Sequence, residues 1–218
     1  MQIHNLELKN TILNYFTSEL RDVNIQGDPM RFRRNIERVG EMLSYEISQN
    51  LSYTKKSVKT PLGIKDINLI DEKLVVASIL RAGLPLHQGV LSVFDRAENC
   101  FVSAYRKYRD ESNFDIHVEY LVLPDLTDKT LILCDPMLAT GSSMEVAFNA
   151  ILTKSKPKRV IICSIFASVQ ALDYIKTKLG DKVSDLYVAT VDPMIDKHSY
   201  IVPGIGDAGD LAFGPKLD

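Results

Sequence analysis

Apolar and polar positions follow two different rhythms along this chain. From residue 73 onward, apolar runs of strand length alternate with stretches of helical spacing. The runs are LVVASIL (74–80), CFVSAY (100–105), TLILC (130–134), RVIICSIFA (159–167) and DLYVATV (185–191). Between them the spacing predicts helices over roughly 84–95, 142–154 and 168–179. Strands that are apolar at nearly every position are buried on both faces, which implies a mostly parallel sheet with helices on either side. Such sheets bind ligands beyond the carboxyl ends of their strands, so chemistry is expected in the loops that follow them.

Upstream the pattern is different. Asp28-Pro29 suits a helix start, with an acid at the cap and proline in the first turn. Phe32, Ile36, Val39, Leu43 and Ile47 then recur at helical spacing and predict one buried face. Residues 51–67 carry Tyr, Thr and Val among lysines, with Pro61 and Gly63. They read as one or two strands around a turn. Two segments break the later rhythm. Lys107 to Asp128 is polar with scattered aromatics, as expected of a projecting hairpin or flap. Asp192 to Asp218 is rich in proline and glycine and long for a loop, and long loops in compact domains often carry function.

Composition narrows the classes. The chain has 218 residues, 45% of them hydrophobic and 25% charged, which suits a globular protein with an ample core. It is expected to form a single domain over 1–218: an N-terminal helix and strands to about 72, a core over 73–191 and a C-terminal cover over 192–218. A net charge of −2 argues against nucleic acid as a partner. The densest basic group, Arg31, Arg33, Arg34 and Arg38, reads as a solvated helix face. Cys100, Cys134 and Cys163 stand apart in apolar runs, as buried thiols in a reducing compartment would. The start, MQIHNLELKN, lacks the pattern of a signal peptide. No apolar run approaches the ~20 residues needed to span a bilayer. A cytoplasmic protein with no membrane partner is expected.

The most informative stretch is LILCDPMLATGSSM (131–144). An apolar strand ends at Cys134, Asp135 follows where a strand's carboxyl end is expected to meet solvent, and Pro136 stops the ladder. Thr140, Gly141, Ser142 and Ser143 then precede a helix expected to begin at Ser142 or Ser143. Unpaired N–H groups and the positive dipole end make a helix start a phosphate cradle, and hydroxyls add donors. A carboxylate cannot bind phosphate, but it can hold sugar hydroxyls, directly or through magnesium. Together these features suggest a ribose 5-phosphate site. The same residues also suit an ordinary capped helix after an Asp-Pro turn, so the stretch alone leaves both readings open. Neither a Gly-x4-Gly-Lys-Ser/Thr loop nor a Gly-x-Gly-x-x-Gly turn after a strand is present, which weakens NTPase and dinucleotide readings.

DPMLATGSS resembles the phosphoribosyl-diphosphate motif of the uracil phosphoribosyltransferases. ILRAG (79–83), Tyr105-Arg106, RFRRNIERVGEMLSYEI (31–47) and YIVPGIGDAGD (200–210) resemble further segments of that family, in the family's order. The resemblance spans nearly the whole chain. It implies the phosphoribosyltransferase fold with a C-terminal base-binding hood, and attack of uracil N1 on C1′ of phosphoribosyl diphosphate to give UMP and diphosphate. It also implies dimers or larger oligomers, and Mg2+ carried by the substrate rather than by dedicated protein ligands. Position by position, it places Asp135 on the ribose hydroxyls and Thr140, Gly141, Ser142 and Ser143 on the 5-phosphate, with Pro136, Met137, Leu138 and Ala139 in the same loop. Arg81 and Arg106 fall on the diphosphate, though either arginine also suits a merely solvated position. Ile201, Gly206, Asp207 and Ala208 fall on uracil, with Asp207 also facing the phosphoribosyl diphosphate. Asp135, Arg81 and Asp207 would do the positioning and charge stabilisation of catalysis. A phosphoribosyltransferase for another base, or a non-catalytic nucleotide sensor on the same fold, are the alternatives.

Some positions depart from the family pattern. Ser142 replaces a glycine of the cradle, and serine resists positive φ, so a need for glycine geometry there would weaken phosphate binding. Ser199 also stands where glycine is usual. AYRKYRDES (104–112) and DLAFGPK (210–216) differ from the family's usual residues.

Overall fold

The structure, a computed structural model, describes residues 1–108 and 114–215, and of residues 104–117 it describes no side chains. Its centre is a sheet whose strands are β1 (Gln2–Asn5), β4 (Leu74–Ile79), β5 (Glu98–Tyr108), β6 (Phe114–Val122), β7 (Thr130–Cys134), β9 (Arg159–Ser168) and β10 (Asp185–Asp192). They lie in the order β1-β10-β9-β7-β4-β5-β6, and the two-residue strand β8 (Met137–Leu138) adds to β9 beyond the end of β7. All pairings are parallel except β5 with β6, which run antiparallel as a hairpin. The five apolar runs predicted as strands are all strands.

Alternation along each strand sends side chains into two cores. Val76, Ile132, Cys134, Ile161, Cys163 and Tyr187 face α1 (Leu13–Arg21), α2 (Pro29–Ser48) and α3 (Gly83–Val93). Val75, Ala77, Leu131, Leu133, Ile162 and Val188 face α4 (Ser142–Leu152) and α5 (Val169–Leu179). Helix α2 begins as expected: Oδ1 of Asp28 accepts from the N–H groups of Met30 and Arg31, with Pro29 in the first turn.

Residues 51–67 contain two strands, β2 (Tyr53–Thr60) and β3 (Gly63–Ile70), which form a separate antiparallel hairpin standing away from the main sheet. The C-terminal segment holds β11 (Met194–Ile195), β12 (Ile201–Val202) and α6 (Ala208–Phe213), short elements that its proline and glycine content hid. Its Ile201, Ile205, Ala208 and Ala212 belong to the same core as α1–α3. Two further elements were not legible in the sequence. β1 has only four residues and no apolar run. The buried stripe of α1 runs through Thr17, whose hydroxyl donates to the Leu13 carbonyl at 3.1 Å, so its apolar spacing is incomplete. No described helix is long and apolar enough to cross a membrane.

Candidate active site

Strand β7 lies between β4 and β9 and delivers Asp135 to the carboxyl edge of the sheet. The expectation that Asp135 meets solvent is corrected: it is only 8% exposed. The reason lies in the residues that follow. The Pro136 carbonyl accepts from the N–H groups of Ile165 and Phe166, and β8 pairs with Phe166 and Ala167, so the chain folds over the carboxylate. Burial pushes the Asp135 carboxyl up to about 7, while the N–H of Met137, donating to Oδ1 at 3.2 Å, pulls the other way. The residue is thus poised to change protonation near neutrality.

The cradle follows directly. Gly141 takes φ +78, in the left-handed region, and a side chain there would press on Tyr174 and Ile175. Ser142 is the first residue of α4 and has no positive φ. The feared conflict at Ser142 therefore does not arise, because the glycine geometry falls one residue earlier. The Thr140 and Ser142 hydroxyls are 2.8 Å apart, and the Ser142 N–H donates to Thr140 Oγ1 at 3.3 Å. Gly141 has no side chain to cap α4, and with the Ser142 N–H turned to Thr140, the N–H groups that remain in the first turn can meet an anion. The Ser168 hydroxyl, which caps α5, also donates to the Ala139 carbonyl at 2.6 Å and fastens the loop from below.

Arg81 follows β4, the strand beside β7, and extends toward the hood. Its Nη2 lies 3.3 Å from the Gly214 carbonyl and 3.5 Å from Oδ1 of Asp210. Arg106 lies on β5, on the other side of β4 from β7; its side chain lies outside the described residues, as does Arg109 entirely. The basic group on α2 is held by intramolecular contacts. Arg31 reaches Glu19, Arg34 reaches Glu37, and Arg38 donates to Asn35 and lies over the Phe16 ring. Arg33 donates to the Ala212 carbonyl at 2.7 Å and steadies the hood helix.

In the hood, Ile201 is 3% exposed and packed into the core. Gly206 has φ +85 and is exposed, with nothing within 4 Å of where a Cβ would stand. Its main chain therefore faces open space. Asp207 caps α6, its Oδ1 accepting from the Asp210 N–H at 2.9 Å, and Ala208 opens the helix. His198 donates its main-chain N–H to Oδ1 of Asp196 in a tight turn. Arg81, Asp135, the cradle and the hood thus all stand at the carboxyl edge. Sequence reasoning missed the contacts that hold them there, Arg33 on Ala212 and Asp210 on Arg81, because partners far apart in sequence leave no local signal.

Comparisons with known proteins bear on the family and the fold. A family model described as uracil phosphoribosyltransferase matches residues 7–215. A uracil phosphoribosyltransferase of Porphyromonas gingivalis is 57% identical over 217 residues, covering 100% of both chains. One from Methanothermobacter thermautotrophicus is 38% identical over 193 residues, covering 88% of this chain and 87% of that protein. Among solved structures, the AQ2163 protein from Aquifex aeolicus superposes with a TM-score of 0.84 at 31% identity over 100% of both chains. A hypoxanthine phosphoribosyltransferase from Staphylococcus aureus shares the fold at a TM-score of 0.50 and 12% identity, covering 75% of this chain and 76% of that one.

Proposed function

The chain belongs to the uracil phosphoribosyltransferase family, and from that premise we propose how its own residues divide the work of the reaction. The protein transfers the 5-phosphoribosyl group from phosphoribosyl diphosphate to N1 of uracil, giving UMP and diphosphate in pyrimidine salvage. A bond forms between N1 and C1′ while the bond from C1′ to the diphosphate oxygen breaks, and the N1 proton passes to the departing diphosphate or to water. Positive charge grows on the ribose and negative charge on the leaving group, so catalysis consists of alignment and charge stabilisation.

In this reading Asp135 accepts hydrogen bonds from the ribose hydroxyls. The first turn of α4, with Thr140, Gly141, Ser142 and Ser143, holds the 5-phosphate, and residues 136–139 form the floor. Arg81 and Arg106 hold the diphosphate, where the planar donor fork of a guanidinium suits phosphate oxygens. The main chain of Gly206, Asp207 and Ala208 meets the acceptor–donor–acceptor edge of uracil, and Ile201 supports the segment from the core side. What carries the reading is one juxtaposition: a buried carboxylate leading through a glycine turn into an uncapped helix start, at the middle of the carboxyl edge.

No group of three or more His, Cys, Asp or Glu able to hold a metal occurs among the described residues. We place Mg2+ as arriving on the diphosphate, since Mg2+ keeps several waters and needs only one or two protein carboxylates. Asp207 is the residue we place facing it. The ion would supply neutralising charge for the departing diphosphate.

We take 1–218 as one domain, because the hood shares the core of α1–α3. We place the protein in the cytoplasm, where its three buried free thiols would stay reduced. We also infer that it associates with itself, and the support is the hairpin β2–β3. Every residue of β2 is exposed, as is every residue of β3 except Ile70, which is half-buried.

The test is a product assay with pure protein, phosphoribosyl diphosphate, Mg2+ and a panel of bases. UMP and diphosphate from uracil are expected. A different preferred base would move the assignment within the fold, and no nucleotide with any base would end it.

A further inference from the structure

Arg21 closes helix α1 and is among the most heavily engaged side chains of the protein. Its Nη1 donates to Oδ2 of Asp192 at 3.0 Å and to the Gly204 carbonyl at 3.1 Å. Its Nη2 donates to Oδ1 of Asp192 at 2.9 Å and to the Thr190 hydroxyl at 3.2 Å. The guanidinium carbon stands 4.7 Å from the centre of the Phe166 ring. The four bonds use both terminal nitrogens of the fork, and lysine has neither the donor number nor the planar spacing to reproduce them.

These contacts join three parts of the site. Phe166 lies on β9 and pairs with Met137 of β8. Thr190 and Asp192 form the end of β10, and Asp192 is 4% exposed. Gly204 lies in the segment between β12 and α6, two residues before Gly206. The apolar side chains of Ile201 and Ile205 fix that segment toward the core, but apolar packing is non-directional and does not set where a carbonyl points. A charge-assisted bond to the Gly204 oxygen does.

We infer that Arg21 is a positioning residue for the base: by holding the Gly204 carbonyl against the end of β10, it sets the height and orientation of the Gly206–Ala208 main chain. The inference rests on the proposed placement of uracil along that main chain. The loop over the phosphoribosyl site is anchored by the Ser168 hydroxyl on the Ala139 carbonyl and by main-chain bonds from Ile165 and Phe166 to the Pro136 carbonyl, whereas Arg21 meets this part only at the face of the Phe166 ring. Loss of the Arg21 fork should therefore affect one substrate and spare the other.

The test is steady-state kinetics on Arg21→Lys, with Asp192→Asn as a second variant and Gly206→Ala as the control for the site itself. Arg21→Lys keeps a cation beside the buried Asp192, whereas a neutral residue would leave that carboxylate uncompensated and endanger the fold. The expected result is a rise of about tenfold in the KM for uracil, the size of one lost charge-assisted bond. The KM for phosphoribosyl diphosphate should stay within about twofold of the parent value by the same independence of anchors. Asp192→Asn, which loosens the anchor from its other side, should show the same split and carries the test if Arg21→Lys does not fold. A methyl group at Gly206 would enter the open space given to uracil, so Gly206→Ala should abolish use of the base. If Gly206→Ala cripples uracil use while folded Arg21→Lys and Asp192→Asn leave it unchanged, the role of Arg21 is overturned and the site stands. If both KM values rise together in the variants, Arg21 is merely structural. If Gly206→Ala is silent, the placement of the base fails and the inference fails with it.

Discussion

Nη2 of Arg81 lies 3.5 Å from Oδ1 of Asp210, linking the loop after β4 to the hood helix α6. The pair is open to water, with side-chain exposures of 42% and 39%. Exposed pairs are worth about 0–1 kcal/mol, so this contact is too weak to hold the arginine from an incoming diphosphate. Arg81→Ala should raise the KM for phosphoribosyl diphosphate at least about tenfold, as loss of a charged hydrogen-bonding group does. Asp210→Asn should shift it by no more than about fivefold, the ceiling for the exposed pair. Initial-rate measurements at saturating uracil decide. A larger effect from Asp210→Asn than from Arg81→Ala would assign the substrate contact to the wrong member of the pair.

Asp135 supplies a second prediction, because its burial has a sign. Its carboxyl titrates at about 7 in the folded protein, against an ordinary value near 3.8. Below pH ~4 both the folded and the unfolded states are protonated, and the burial costs nothing. As pH rises toward 7 the unfolded state ionises first, so stability falls across that window and levels off above it. Asp135→Asn removes the penalty. The variant should melt above the parent at pH 8, by the equivalent of a few kcal/mol on this shift. The gap should shrink steadily as pH falls toward 4. Activity should fall in the same variant, since an amide is a poorer acceptor for ribose hydroxyls. Melting curves at several pH values test the first part. A variant less stable than the parent at pH 8 would show that the carboxylate has partners that compensate its charge.

The contrast between Asp135 and the core strands shows what the sequence could and could not convey. Val75 and Val76, or Leu131 and Ile132, announce burial on both faces through composition alone, and the two cores follow from their alternation. The cradle stretch alone left two readings open, since an acid, a glycine and hydroxyls in order also suit an ordinary capped helix after a turn. Burial of Asp135 was not legible, because it depends on β8 pairing with β9, about thirty residues further on. Whether Ser142 needs glycine geometry was left conditional by the sequence, and the structure answers it by giving the left-handed turn to Gly141. Contacts such as Arg33 with Ala212 are products of the fold and leave no trace in either local segment.

Ser199 presents a glycine-like backbone without glycine. Its φ is +66, one of two non-glycine residues at positive φ among those described. It sits in a turn held by Asp196, whose Oδ1 accepts from the N–H groups of His198 at 2.8 Å and Tyr200 at 2.9 Å. The left-handed region costs an L-residue about 1–2 kcal/mol. Glycine gives back about 0.5–1 kcal/mol of that through its greater freedom in the unfolded chain. Ser199→Gly should therefore stabilise by about 0.5–1 kcal/mol, raising Tm by about 2 °C in a chain of this size. Ser199→Ala, which keeps the Cβ, should give no gain. Calorimetry on the two variants separates these outcomes, and a Tm for Ser199→Gly at or below the parent would mean that the serine side chain earns its place in the turn.

The hairpin β2–β3 leads to the last prediction. Two strands alone are marginally stable in water, and this pair carries apolar side chains on both faces. Val58, Ile67 and Leu69 lie on one face and Tyr53, Ile64 and Ile70 on the other, by the register of the pairs Tyr53–Ile70, Thr54–Leu69, Lys56–Ile67, Val58–Lys65 and Lys59–Ile64. At the tip, Leu62 is fully exposed and Ile64 is 76% exposed. At its base the hairpin borders a cleft of about 990 Å³ whose walls include Tyr53, Leu69, Val93 and Phe94. A second copy of the chain would cover the arm. Burying Leu62 and Ile64 would contribute about 2 kcal/mol each, so replacing both with aspartate should weaken association at least about a thousandfold. The double variant should keep its fold, because neither side chain belongs to a core. Light scattering after size exclusion should give an oligomer for the parent and a 24.5 kDa monomer for the variant. A parent that already runs as a monomer, or a variant that stays associated, would remove the hairpin as the interface.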